Sequence, residues 1–240
     1  RLHIGGLGTL GVIAEVSLKL TPLPAGQATV AALFDSVEQC VQAGLSVFHS
    51  DVLPLAITAV DSSVAAQLPG LDATDKCVLA IRLGGRPLTL EREVTECRSL
   101  CRTHRTSKDV VVGEADAAAI WRAIADFAWE EQTPPLIAAR ALVQPSVAAD
   151  LVRELAEGES SGLIQSIVAH PAHGTVLVAW RERAETAAPS GDAAKHVLKQ
   201  ARDALRRLDG RLIVERCPAA AKSGLDVWDD VGAPIAIMRR

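Results

Sequence analysis

Three places in the sequence gather residues whose types and spacing suit chemistry. The first is Gly5-Gly6-Leu7-Gly8-Thr9-Leu10-Gly11. Glycine lets backbone N–H groups approach an anion such as a phosphate with no side chain in the way. Gly6-x-Gly8-x-x-Gly11 has the spacing of a dinucleotide fingerprint, but the Rossmann form of that motif needs a helix N-terminus directly after the glycines. Here Val12, Ala14, Val16, Leu18 and Leu20 alternate with Ile13, Glu15, Ser17 and Lys19, a period of two that predicts a strand. Thr21-Pro22-Leu23-Pro24 then stops it. The motif is therefore a glycine turn feeding a strand.

The second place is His170-Pro171-Ala172-His173, the only close histidine pair. Two histidines in a turn suit a metal, but a site needs a third ligand that the spacing does not supply, and a polar hairpin turn needs nothing more. The third is Glu215-Arg216-Cys217. The planar fork of Arg216 suits bidentate binding of a substrate carboxylate. Pairing with Glu215, Asp226 or Asp229 is the alternative. Trp228, in a polar segment, is a candidate functional aromatic. Trp121, Trp129 and Trp180 read as core or subunit-contact residues, and Lys195, Lys199, Arg202, Arg206 and Arg207 as a solvated helix face.

Composition narrows the partners. The 240 residues carry a net charge of −4, which argues against a nucleic-acid surface. Tyr is absent and Phe occurs three times, so base-stacking platforms are not expected. No apolar run reaches the roughly 18 residues of a membrane span. The chain opens on Arg1 with no signal peptide and reads as part of a longer protein. Five cysteines without C-x-x-C spacing fit a reduced, cytoplasmic compartment, with peripheral attachment to the inner face of a membrane as a further option. Cys97 and Cys101 share one helix face, and no metal is expected.

The elements that must position these residues occur twice. A strand near 29–34 leads to a helix opened by a capping box, Ser36 with Gln39. Strands follow near 55–60 and 76–83. Pro87 starts a second helix carrying Leu90, Val94, Cys97, Cys101 and His104 on one face. A strand near 109–112 closes the set. A separate helix is predicted over 115–129. The order then repeats about a hundred residues later, with a strand near 136–143 and a helix from about Ser146. Strands near 163–169 and 175–180, a long helix ended by Gly210, and a strand near 211–215 complete it. The expected class is α+β, a duplicated ferredoxin-like βαββαβ unit (about 28–112 and 136–215) with one antiparallel sheet backed by helices.

The glycine segment resembles the end of the FAD-binding domain in the FAD-linked oxidase family, which includes vanillyl-alcohol oxidase and D-lactate dehydrogenase. Its G-S-x-G-T-L-G-[VI]-I-T-E-like motif is matched by Gly5, Gly8, Thr9, Leu10, Gly11, Val12, Ile13 and Glu15, with Gly6 and Ala14 as departures. The resemblance implies FAD contacts at Gly5, Gly8, Thr9, Gly11, Val12 and Ile13. It also implies the end of a FAD-binding domain at 1–24 and a cap domain at 25–240. D-2-hydroxy-acid dehydrogenases of the family carry H-x-G-D-G-N-x-H and E-H-G motifs for metal and base. Here His170 is followed by Pro171-Ala172-His173, and Glu215-Arg216-Cys217 stands where E-H-G is expected. Metal and catalytic roles are therefore not carried over.

What remains is similar to the glycolate oxidase FAD-binding subunit branch of the family. The implied function is FAD-dependent oxidation of a 2-hydroxy acid such as glycolate or D-lactate, with a second flavoprotein subunit and an iron–sulfur subunit as partners. A non-catalytic interaction subunit of such a complex is the alternative, and a ferredoxin-like small-molecule sensor a third reading. If the glycine turn faces flavin, Gly11→Val should lower the flavin bound by the full-length protein, measured by visible absorbance. Undiminished flavin in a folded variant would remove this argument.

Overall fold

The computed structural model describes residues 11–20, 22–129, 134–158, 161–183, 191–222 and 226–229. Eight strands form one sheet: β1 (Gly26–Phe34), β2 (Ala56–Val60), β3 (Cys77–Gly85), β4 (Lys108–Val112), β5 (Ile137–Leu142), β6 (Ile164–His170), β7 (Thr175–Arg181) and β8 (Arg211–Arg216). Their order is β4-β1-β3-β2-β6-β7-β5-β8, and every adjacent pair is antiparallel. Counted within each half, the order is fourth-first-third-second in both.

Four helices cover the first face of the sheet: α1 (Val37–Phe48), α3 (Pro87–Thr103), α5 (Ala148–Glu157) and α6 (Gly191–Arg207). Their apolar stripes meet alternate strand residues, such as Leu79, Ile81, Val178 and Trp180, in one core. Ser36 caps α1 by accepting from the Gln39 N–H at 3.2 Å, and Gln39 Oε1 in return accepts from the Asp35 N–H at 3.3 Å. Pro87 takes the first turn of α3 as expected.

The second face is covered differently. Helices α2 (Ser62–Ala65) and α4 (Glu114–Ala125) lie against it, with Ile120, Ile124 and Phe127 packed on Ala31, Leu33, Val78 and Ala80. The helix expected over 115–129 thus stops at Ala125. Ala128 has a φ of 67°, left-handed backbone that no helix continues, and it turns Phe127 and Ala128 into the core.

Three other expectations are corrected. Residues 12–20 form no strand and are exposed along their length, because no described strand edge meets them. The helix expected from Ser146 begins at Ala148, after a 3-10 turn at Pro145–Val147. Gly210 is not the left-handed cap of α6: Asp209 adopts that conformation, with a φ of 51°. Gly210 is required by close packing instead, since a Cβ there would lie 2.6 Å from Val143 Cγ1 and 2.5 Å from Leu205 Cδ2.

The two halves meet at β2 and β6, where Ala59 pairs with Ala169 and Val60 with Val168. Asp61 extends this short ladder. Its N–H donates to the Ile167 carbonyl at 3.1 Å, and its Oδ2 accepts from the Ile167 N–H at 2.7 Å. Oδ1 accepts from the Val64 N–H at 3.0 Å, capping α2, and lies 2.8 Å from the Ser63 hydroxyl. Burial raises the Asp61 pKa, opposed by these bonds. Asp61→Ala strands the Val64 and Ile167 N–H groups. It should cost about 2 kcal/mol, measured by urea unfolding; a loss under about 0.5 kcal/mol would show that the bracket is not structural.

Candidate functional site on the open sheet face

Gly5, Gly8 and Thr9 lie outside the described residues. Gly11 has a φ of 148°, a conformation that L side chains rarely adopt. Val12 and Ile13 follow it at 95% and 52% exposure. A backbone that must let a planar or anionic group come close has these properties. The segment is exposed along its length, and the described residues build no enclosing pocket around it.

The other available surface is the second sheet face over the second half. Strand alternation assigns it. Ala139, Ala141, Val176, Val178, Leu212 and Val214 point into the helical core, so Arg140, Leu142, Thr175, Leu177, Ile213 and Glu215 lie on the opposite side. All except Glu215, an exposed residue, are half-buried. The β6–β7 hairpin bounds this face with a 3-10 turn at Pro171–His173 and Gly174 at a φ of 60°. A Cβ on Gly174 would sit 2.0 Å from the Val143 carbonyl oxygen.

Two polar pairs stand on this face. His170 ends β6, and its Nδ1 is 3.1 Å from Thr58 Oγ1. Burial lowers the His170 pKa, and the nearby His173 and Arg140 lower it further, against a hydrogen bond to Ile57 that raises it. It is therefore a neutral imidazole at pH 7. Arg140 on β5 meets Glu215 on β8, with Nε and Nη2 at 2.8 and 2.7 Å from the same Oε1. A bulge separates Ala138, paired with Arg216, from Ala139, paired with Val214; Glu215 is the extra residue, outside the ladder.

Sequence reasoning singled out Arg216. The structure leaves it exposed and joins neither Glu215, Asp226 nor Asp229 to it by a recorded ion pair. Asp229 instead accepts from the Leu212 N–H at 3.0 Å, and Asp226 from the Trp228 N–H at 3.1 Å. Arg140 was missed. Its signal was present as a lone charge inside the apolar run Leu136–Val143, on the face opposite Ala139 and Ala141.

Trp180 is core and Trp121 donates to Thr29 Oγ1 at 3.0 Å, whereas Trp129 and Trp228 are exposed at 66% and 55%. Cys40, Cys77, Cys97 and Cys101 are buried thiols. Burial pushes Cys97 and Cys101 up to about 12 and Cys77 to about 11, so none is a ready thiolate at neutral pH. Among the described residues, no three His, Cys, Asp or Glu side chains gather as a metal site. No described helix is long and apolar enough to cross a membrane.

An eight-stranded antiparallel sheet with four helices on one face, two on part of the other, and a half-buried mixed patch beside them can be set against known proteins. Residues 23–213 match the family of FAD linked oxidases, C-terminal domain. The chain belongs to this family. FAD is the family's cofactor. The glycolate oxidase subunit GlcD of Bacillus subtilis (strain 168) is 27% identical over 107 residues, 42% of this chain and 23% of that protein. The mitochondrial D-lactate dehydrogenase [cytochrome] 1 of Saccharomyces cerevisiae is 21% identical over 190 residues, 72% of this chain and 32% of that protein. The chain thus spans about a quarter to a third of the curated relatives it matches. Among solved structures, p-cresol methylhydroxylase with substrate bound gives a TM-score of 0.56 at 12% identity, over 86% of this chain and 49% of that one. Alkyldihydroxyacetonephosphate synthase gives 0.55 at 16% identity, over 87% and 44%. These last two share the fold.

The His170 environment has a pH consequence. Its folded pKa lies below the ordinary 6.5, so the unfolded chain takes up the proton first as pH falls. Stability from this group is complete above the unfolded pKa and is lost as pH falls through about 6.5 toward the folded value. Urea midpoints measured from pH 8 to 5 should decline in that window, and His170→Gln should flatten the decline. An unchanged slope in the variant would assign the decline to other groups.

Proposed function

We propose that the chain is the substrate-side cap of an FAD-dependent oxidoreductase that acts on a small 2-hydroxy acid such as glycolate or D-lactate. Residues 1–24 are taken as the end of the FAD-binding domain, with Gly5, Gly8, Thr9, Gly11, Val12 and Ile13 beside the flavin. Residues 25–240 are taken as the cap, built from two ferredoxin-like βαββαβ units; the common strand order of the two halves supports that duplication. The observation that carries the reading is the family match over residues 23–213, on a sheet whose second face is only partly covered by the described residues around Arg140.

When bound, the flavin supplies the electron sink for oxidation of the substrate carbon. This chain's own residues have simpler work. The apolar parts of Leu142, Leu177 and Ile213 exclude water from one wall of the site. Neutral His170, oriented by Thr58, is a proton acceptor at the edge of that wall. Arg140 and Glu215 set its charge.

A second reading is an interaction subunit that turns over no substrate by itself. It is favoured by Glu215-Arg216-Cys217 in place of Glu-His-Gly, with Glu215 already engaged by Arg140. Under either reading the working assembly includes a second flavoprotein subunit and an iron–sulfur subunit. Steady-state assays of the full-length protein, alone and reconstituted with such subunits, separate the cases. We expect weak oxidation of glycolate or D-lactate alone and full activity in the complex. Turnover of tens per second by the single protein, within the usual enzyme range, would refute the dependence on partners.

A further inference from the structure

We infer that Arg140 is the anchor for a ligand carboxylate on the open sheet face, and that Glu215 is a built-in placeholder holding the guanidinium ready for it. The inference rests on the reading of that face as the substrate side of the site.

Four observations carry it. Arg140 is reachable but not free, with its side chain 43% exposed. Its surroundings are largely apolar: it lies opposite Leu177 on β7 and Ile213 on β8, with Ala138 and Leu142 next along its own strand face. A charge held against such a surface is less screened than one in open water, so an arriving anion gains more from it.

The guanidinium is also only partly used. Nε donates to one carboxylate oxygen, Glu215 Oε1, and Nη2 lies 2.7 Å from that same oxygen, an arrangement without the two parallel bonds of a fork-to-fork pair. Nη1 has no partner among the described residues, so a planar group with five N–H donors keeps most of them for a ligand. Finally, Glu215 is the extra residue of a β-bulge. Bulges re-aim a side chain at the cost of a ladder bond and recur beside active sites. Placed outside the ladder, Glu215 can move without breaking sheet pairing.

The ligand class follows from the geometry. A small carboxylate presents two oxygens to the free edge of the fork, with its neighbouring carbon toward the apolar row and the His170 side of the face. The incoming carboxylate shares the guanidinium with Glu215 and is repelled by it. This separates the inference from a plain surface ion pair, whose stabilisation would be small and whose two partners would be equivalent. An anchor with a placeholder makes them opposite: removing Arg140 weakens anion binding, and neutralising Glu215 strengthens it.

The test uses the full-length protein and oxalate, a carboxylate ligand that has no C–H bond to oxidise. Oxalate binding is titrated by calorimetry in the wild type, Arg140→Met, Arg140→Lys and Glu215→Gln, with thermal unfolding of each as a control for folding. Arg140→Met should weaken binding about tenfold or more. Arg140→Lys, which keeps the charge and loses the fork, should fall between. Glu215→Gln should bind several-fold more tightly. Wild-type affinity in a folded Arg140→Met variant, equal losses in Arg140→Met and Glu215→Gln, or no oxalate binding by the wild type would each overturn the inference. The flavin content of the same wild-type sample, read by absorbance, tests the oxidoreductase reading separately. A protein that carries flavin but ignores Arg140 sinks only the anchor; one that binds oxalate through Arg140 without flavin sinks only the proposed function.

Discussion

The rest of the structure depends on a narrow seam between two half-sheets, backed by the one helical core they share. Each half of the sheet has its own ladder of strands, but the halves touch edge to edge only through β2 and β6. That contact is short, and it survives because Asp61 adds both backbone and side-chain bonds to Ile167 at one end and Thr58 reaches His170 at the other. A sheet edge left unpaired exposes donors and acceptors that must go somewhere. Joining two such edges satisfies both and makes one continuous surface eight strands wide. Only a continuous surface can present β5, β7 and β8 beside β2 and β6 as one wall.

The joint also explains the division of labour between the faces. The first face is covered along its length by four long helices, so its packing is dense and its alternate residues are apolar. Among the described residues the second face is covered by α2, α4 and the segments that follow them, which reach the first half, the seam and, at Ala138 and Ala179, part of β5 and β7. The polar side chains collect where cover ends. Burial depth across the second face thus grades from sealed, at Ala80 and Val78, to half-open, at Arg140 and Leu177. The partial exposure of Arg140 and the low pKa of His170 both come from that gradient.

Much of this was legible in the sequence because local rules sufficed. The short apolar runs of β1, β3 and β7, the Ser36–Gln39 cap and Pro87 at the start of α3 each act within a few residues. The seam was not legible. It pairs Ala59 and Val60 with Ala169 and Val168, more than a hundred positions apart, and nothing in either segment names the other. Residues 12–20 show the opposite failure: an alternating pattern states that a segment can be a strand, but not that an edge is there to receive it. Arg216 stands in the segment that the family's motif marks, 215–217, whereas no motif marks Arg140. The pleat, which decides which arginine shares a face with His170, needed Ala139 and Ala141 to be read as core. Gly210 was read as a cap by habit of residue type, where crowding by Val143 and Leu205 is the actual constraint.

The distribution of the thiols has a practical use. Cys40, Cys77, Cys97 and Cys101 all belong to the first half, while the second half has only Cys217, beyond the end of β8. Reagents that modify sulfhydryls cannot reach a sealed thiol, so its labelling rate follows how often the surrounding structure opens. Nature has thus marked one half of the molecule and left the other nearly blank. Comparing the four buried sites with a cysteine introduced into the core beneath β5 and β7 would show whether the two halves open together or one at a time, and hence how firmly the short seam and the shared helical core couple them.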